Sequence, residues 1–160
     1  MLRMLQNINF VSHVEDLMPL IMEALSAGQS VRFFPRGTSM LPMLRQDVDS
    51  VVLSPVPDRL QKYDLVFYQR DNGKYILHRI IAADKTYTCL GDNQTKPETG
   101  VRRDQIIAVV TGFYRSERYI EAGAFGYRIY CSIWAGLLPV RKLYFRVKNK
   151  LRYLLRRIHK

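Results

Sequence analysis

The chain has 160 residues, 48% of them hydrophobic and 24% charged. That is enough for one domain with a packed core, and it excludes intrinsic disorder. The net charge of +11 is unevenly placed: residues 1–127 carry 15 Lys/Arg and 14 Asp/Glu, a balance of +1, whereas residues 128–160 carry 10 Lys/Arg and no acid, a balance of +10. A near-neutral body with a cationic tail is not the pattern of a uniformly basic nucleic-acid-binding domain. It points to a tail that meets an anionic surface, either lipid headgroups or nucleic acid. Two cysteines, Cys89 and Cys131, cannot build a disulfide framework, and His13, His78 and His159 lie too far apart in sequence to support a metal site, so no cofactor is implied.

Apolar residues at Val14, Leu17, Met18, Ile21, Met22 and Leu25 recur in steps of three and one. This spacing predicts an amphipathic helix over 11–27, with Ser12 and Glu15 as a capping box, Pro19 as a kink or shifted start, and Gly28 as its end. Glu15 and Asp16 interrupt the apolar residues and only Arg3 is basic before them, so the segment does not read as a secretory signal.

From residue 31 the pattern changes to short β-type runs: 31–35, 50–54, 64–69, 75–82, 87–90 and 106–114. Asn72-Gly73 between the third and fourth is a strong hairpin signal. Segments 55–62 and 94–103 read as polar loops. After Glu121 a helical period returns, with a break expected at Pro139. The longest run free of Asp, Glu, Lys and Arg is 12 residues, 129–140, too short for the ~20 apolar residues of a span. The tail therefore reads as a basic amphipathic helix lying on anionic lipid, with Trp134 at headgroup level and Arg141, Lys142 and Arg146 facing phosphate. The expected organisation is an N-terminal helix (1–30), a β domain (31–121) and a helical tail (122–160).

Three segments can carry chemistry. Gly37-Thr38-Ser39-Met40-Leu41-Pro42 sets a serine on a constrained turn, where it needs a base to become nucleophilic and a backbone N–H to hold an oxyanion. Leu77-His78-Arg79-Ile80 sets a histidine and an arginine inside an apolar strand. Strand alternation places Ile76, His78 and Ile80 on one face and Leu77, Arg79 and Ile81 on the other. Gly91-Asp92-Asn93 ends the next strand.

In this order the three segments resemble the signal peptidase I family, and more closely its Ser–His branch. They are also similar to the related self-cleaving repressors. The resemblance covers roughly residues 31–114. It implies a mainly β fold with Ser39 as nucleophile and His78 as general base. Asp92 matches one of the family's acids, and Glu98 falls where that branch has a second. Either carboxylate could orient His78, with Asp92 favoured because it directly follows the strand that pairs with the His78 strand. Gly37 stands where a serine often assists the oxyanion, so Thr38 or backbone amides, Ser39's included, must serve. Met40 and Pro42 are expected to shape an apolar substrate groove.

The resulting expectation is a membrane-associated serine endopeptidase, peripheral or interfacial, that removes signal or leader segments from exported or modified peptides. An exporter or membrane partner could supply the anchor. The competing reading is a repressor-like β module, non-enzymatic or self-cleaving, whose basic tail binds nucleic acid. The first 30 residues are short for a helix-turn-helix domain, and the tail's apolar period with Trp134 suits lipid better than phosphate backbone. A catalytically dead adaptor on the same fold is the third.

Overall fold

The computed structural model describes residues 14–158, the side chains of residue 149 and of residues 151–158 excepted. Eight strands form one antiparallel sheet: β1 (Val31–Phe33), β2 (Ser50–Ser54), β3 (Leu65–Gln69), β4 (Tyr75–Ala83), β5 (Tyr87–Leu90), β6 (Glu98–Val101), β7 (Ile106–Arg115) and β8 (Arg118–Glu121). Their spatial order is β1-β2-β7-β3-β4-β5-β6, with β8 also on β7. The helices are α1 (Val14–Ser26), α2 (Phe125–Gly136) and α3 (Leu138–Ile158). The mainly β class expected from sequence is observed.

α1 follows the expected apolar stripe, with Met18, Ile21 and Leu25 buried. Met22 falls at the margin of that stripe and is exposed, while Ala24 is buried on the other margin. Pro19 lies inside α1 without ending it. Gly28, at φ 74°, closes the helix. Its N–H donates to the Leu25 carbonyl at 3.0 Å and the Gln29 N–H to the Ala24 carbonyl at 2.9 Å, the paired bonds of a Schellman end. The capping role expected for Ser12 lies outside the described residues.

The six expected strands appear within a residue or two of their expected bounds. The Asn-Gly hairpin sets Gln69 opposite Tyr75, with Gly73 at φ 81°. Two strands were not expected. β8 pairs with β7 through a turn whose Ser116 and Glu117 both have positive φ. β6 lies inside the segment read as a loop; it has four residues, includes Gly100 at φ 78°, and shows no apolar alternation. Along β3, Leu65 and Phe67 face one core cluster with α1 and α2, and Val66 and Tyr68 face a second on the opposite side. The tail breaks at Leu137, not at Pro139. Pro139 is the second residue of α3, in the first turn, where the N–H it lacks would have had no intrahelical partner.

Arg79 joins the sheet to α2. From β4 its Nε and Nη2 donate to Asp92 Oδ1 and Oδ2 at 2.9 and 2.7 Å. Its Nη1 donates to the Tyr63 carbonyl at 3.2 Å, Tyr127 Oη at 2.9 Å and Cys131 Sγ at 2.9 Å. Arg79 and Asp92 are 1% and 3% exposed. Burial alone would lower the guanidinium pKa, and the paired carboxylate more than offsets that, holding it above its ordinary value. Removing one partner leaves a buried, uncompensated charge, which costs about 3–5 kcal/mol. Arg79→Met or Asp92→Asn should therefore lower the urea midpoint strongly, and Arg79→Met combined with Asp92→Leu should recover part of the loss.

Candidate active site

The serine loop is built on a buried carboxylate. Asp49, 0% exposed, accepts the Arg45 N–H at 2.9 Å, Arg45 Nε at 2.9 Å and Nη2 at 2.8 Å, and the Ser116 N–H at 3.2 Å. These donors, Arg45 first, hold its carboxyl below the usual range. Asp49 thus closes the base of the loop onto the β7–β8 turn. At the loop's start Gly37 has φ 93°, a region that L side chains rarely adopt, and its N–H donates to Gln46 Oε1 at 2.8 Å. Glycine is fixed there by the backbone, whatever its effect on the oxyanion.

The Gly91-Asp92-Asn93 turn holds the loop from the other side. The Asn93 N–H donates to the Ser39 carbonyl at 2.7 Å, and Asn93 Nδ2 to the Thr38 carbonyl at 3.0 Å. A Cβ on Gly91 would stand 2.7 Å from the Ser39 carbonyl oxygen and 2.9 Å from His78 Nε2. The serine loop and the histidine edge are therefore neighbours across a gap that only glycine leaves open. No hydrogen bond joins Ser39 Oγ to His78; the turn holds Ser39 by its carbonyl. Such bonds often tighten only around substrate. Among the described residues the N–H groups of Thr38, Ser39 and Met40 have no hydrogen-bond partner.

His78, 2% exposed, is oriented by a neutral relay. Its Nδ1 lies 3.3 Å from Tyr68 Oη. Tyr68 Oη donates to Glu98 Oε2 at 2.8 Å. Glu98 in turn accepts Arg70 Nε at 2.8 Å on Oε1 and Nη2 at 2.6 Å on Oε2. The Arg70 donors are the main reason the Glu98 carboxyl lies below its usual range. Burial raises the Tyr68 phenol, with the Glu98 bond adding to it. Tyr68 therefore keeps its one proton and gives it to Glu98, so towards His78 its oxygen can only accept. That places the imidazole proton on Nδ1 and leaves Nε2 with its lone pair. Nε2 makes no hydrogen bond, yet it is not a sealed atom. The one buried side-chain polar atom without a partner among the described residues is Tyr130 Oη. Nε2 and the Ser39 carbonyl oxygen both lie within 3 Å of the position a Cβ on Gly91 would take. Burial lowers the His78 pKa to about 4, with Glu98 opposing and Arg70 adding to the shift.

Asp92 does not orient His78. Residues 78 and 79 point to opposite faces of β4, and Asp92 lies on the Arg79 face with both oxygens engaged. Glu98 reaches His78, but through Tyr68. Met40 is buried in the core and lines a cleft with Pro35, Gly37, Ser39, Leu44 and Tyr75, whereas Pro42 is exposed and outside it. Thr38, a candidate for the oxyanion, has an exposed side chain and an N–H without a partner among the described residues, while its carbonyl accepts from Asn93 Nδ2.

Trp134 and Arg141, expected at lipid headgroups, point inward. Trp134 Nε1 donates to the Asp92 carbonyl at 3.0 Å. Arg141 Nη2 donates to the same carbonyl and to the Gln94 carbonyl at 2.9 Å, with its guanidinium 4.7 Å from the indole centroid. They satisfy carbonyls of the Gly-Asp-Asn turn that would otherwise lack donors. Lys142 and Arg146 are exposed. Lys74, Lys85 and Lys96 are exposed too, and none of them takes the histidine's place.

Tyr68, Arg70 and Asp49 were missed from sequence. Tyr68 had a readable signal: the Asn-Gly hairpin sets Val66 opposite His78, so Tyr68 is the diagonal neighbour on the same face. Comparison with protein-family models, with curated proteins and with solved structures finds no match.

Nitrogen NMR of the folded chain should show His78 as the Nδ1–H tautomer with a titration midpoint near pH 4. Glu98→Gln removes the anion that raises His78 and should push the midpoint lower. Tyr68→Phe should abolish the tautomer preference.

Proposed function

We propose that the chain is a serine endopeptidase that removes signal or leader segments from exported or modified peptides, membrane-associated through its tail. The observation that carries this reading is the Arg70–Glu98–Tyr68–His78 relay, which leaves Nε2 without a hydrogen bond beside Gly91, the glycine that the Ser39 carbonyl also approaches. In this reading Ser39 Oγ attacks the scissile carbonyl as its proton passes to His78 Nε2. The Ser39 and Met40 N–H groups receive the developing oxyanion. His78 then returns the proton to the leaving amine, and a water activated by the same nitrogen hydrolyses the acyl-enzyme. Glu98 stabilises the transient imidazolium through Tyr68, with no carboxylate touching the ring.

The cleft supports an extended substrate. Residues 75–77 of β4 pair with β3 on one side, while pairing with β5 begins only at Arg79. The other edge of that segment therefore fronts the cleft, opposite residues 35–37, where a peptide can be added as a strand. The lining of Met40, Leu44 and Leu77 is apolar; small substrate residues at positions −1 and −3 before the cleaved bond are what the resemblance to signal peptidase I implies.

The test is cleavage of synthetic peptides with alanine at positions −1 and −3, followed by mass spectrometry. Ser39→Ala and His78→Ala should each lower kcat by 10³-fold or more, and the double variant should be no worse than either, because the pair acts as one unit. Gly91→Ala should lower kcat at least about 100-fold, since its methyl would have to displace the Ser39 backbone or the His78 ring. Cleavage that survives Ser39→Ala unchanged rejects the assignment.

The pH dependence follows from the sign of the His78 shift. The neutral imidazole is the active form and its pKa is lowered to about 4. Activity should stay level from neutral pH down to about pH 5 and fall as pH drops through 4. An unperturbed histidine would lose it near 6.5.

A further inference from the structure

We propose that the outer face of α2 and α3, opposite Trp134 and Arg141, is a docking surface for an anionic lipid bilayer. The proposal deepens the reading of a membrane-associated tail, and rests on it, by replacing Trp134 and Arg141 with an exposed apolar stripe while keeping Lys142 and Arg146 as flanking cations. Phe125, Ile129, Ile133, Leu137, Val140 and Val147 recur in steps of three, four and seven along one side of the two helices. They are exposed, Phe125 to 81%, Ile133 to 59%, Val140 to 61% and Val147 to 59%. Within α2 the stripe runs from Phe125 to Ile133, about 12 Å at the usual rise, and within α3 from Val140 to Val147, about 10 Å. Exposed apolar side chains grouped in this way mark an interaction site.

The opposite side of α2 and of the start of α3 is occupied. Tyr127 and Cys131 are buried in the core, and Trp134 and Arg141 hold the Asp92 and Gln94 carbonyls. The stripe therefore cannot turn inward without breaking those contacts.

Charge decides the occupant. Lys142, Arg146 and Lys150 are exposed along one flank, and residues 128–160 contain no acid at all. A second copy would set one strongly cationic segment against another. An anionic bilayer supplies the opposite charge over the whole length and takes the apolar stripe below the headgroups.

The experiment is cosedimentation of the full chain carrying Ser39→Ala with phosphatidylcholine vesicles, with and without 30% phosphatidylserine. Binding to the anionic vesicles should be at least tenfold tighter. Ile133→Gln, Val140→Gln and Val147→Gln together should weaken it at least tenfold at every salt concentration, with the far-UV circular dichroism unchanged. Lys142→Gln with Arg146→Gln should weaken it at low salt and make little difference at high salt. Anionic-vesicle binding that the triple variant leaves intact overturns this face while keeping a membrane-bound tail. No binding to either vesicle overturns both. Self-association abolished by the triple variant, or tight binding to duplex DNA, with no vesicle binding in either case, replaces the bilayer by that partner. Peptide cleavage is measured separately, so the peptidase reading stands or falls on its own result.

Discussion

The Arg79–Asp92 pair is the constraint on which the rest of the structure depends. A guanidinium inside a sheet needs acceptors for every donor, and this one collects them from three parts of the chain: the Gly-Asp-Asn turn, the Tyr63 carbonyl and α2. The cost of burying two charges is met only when all these contacts form together. The pair therefore couples formation of the turn to docking of the helix. The turn then fixes the serine loop through Asn93, and α2 with the start of α3 fixes the turn through Trp134 and Arg141. Ser39 owes its position to an ion pair that touches no reacting group.

The two faces of β4 carry different electrostatics, and that division is useful chemically. On the Arg79 face full charges meet directly, which gives rigidity. On the His78 face the nearest full charges, Glu98 and Arg70, stand behind a neutral tyrosine. A carboxylate bonded to the imidazole would favour its protonated form. The phenol fixes ring orientation and tautomer while burial keeps the base neutral, with its pKa near 4. In the proposed peptidase, a base that is deprotonated throughout the neutral range would be ready to take the serine proton. The negative charge of Glu98 still favours the imidazolium once it forms.

The helical tail shows the same use of opposite faces. One side completes the polar framework around the turn and contributes Tyr127 and Cys131 to the core. The other leaves apolar side chains and cations in solvent. No helix among the described residues is long and apolar enough to cross a membrane.

Local pattern determined much of this. The three-and-four spacing of 14–25 is α1, the Asn-Gly turn sets the β3–β4 register, and strand alternation already separates His78 from Arg79. The order of the serine, histidine and Gly-Asp-Asn segments marks the candidate site, and the acid-free tail marks its charge. Tertiary structure alone decided which acid serves which partner. Asp92 and Glu98 are six residues apart in a turn-rich stretch with no periodicity to fix their directions. Their faces are set by β6, which pairs with β5 across an irregular register, Tyr87 to Val101 and Cys89 to Glu98. It also alone decided that Trp134 and Arg141 turn inward. A helical period tells which residues share a face, but the face that meets the protein is chosen by the carbonyls and the buried guanidinium waiting there, and these come from parts of the chain 40 or more residues away in sequence.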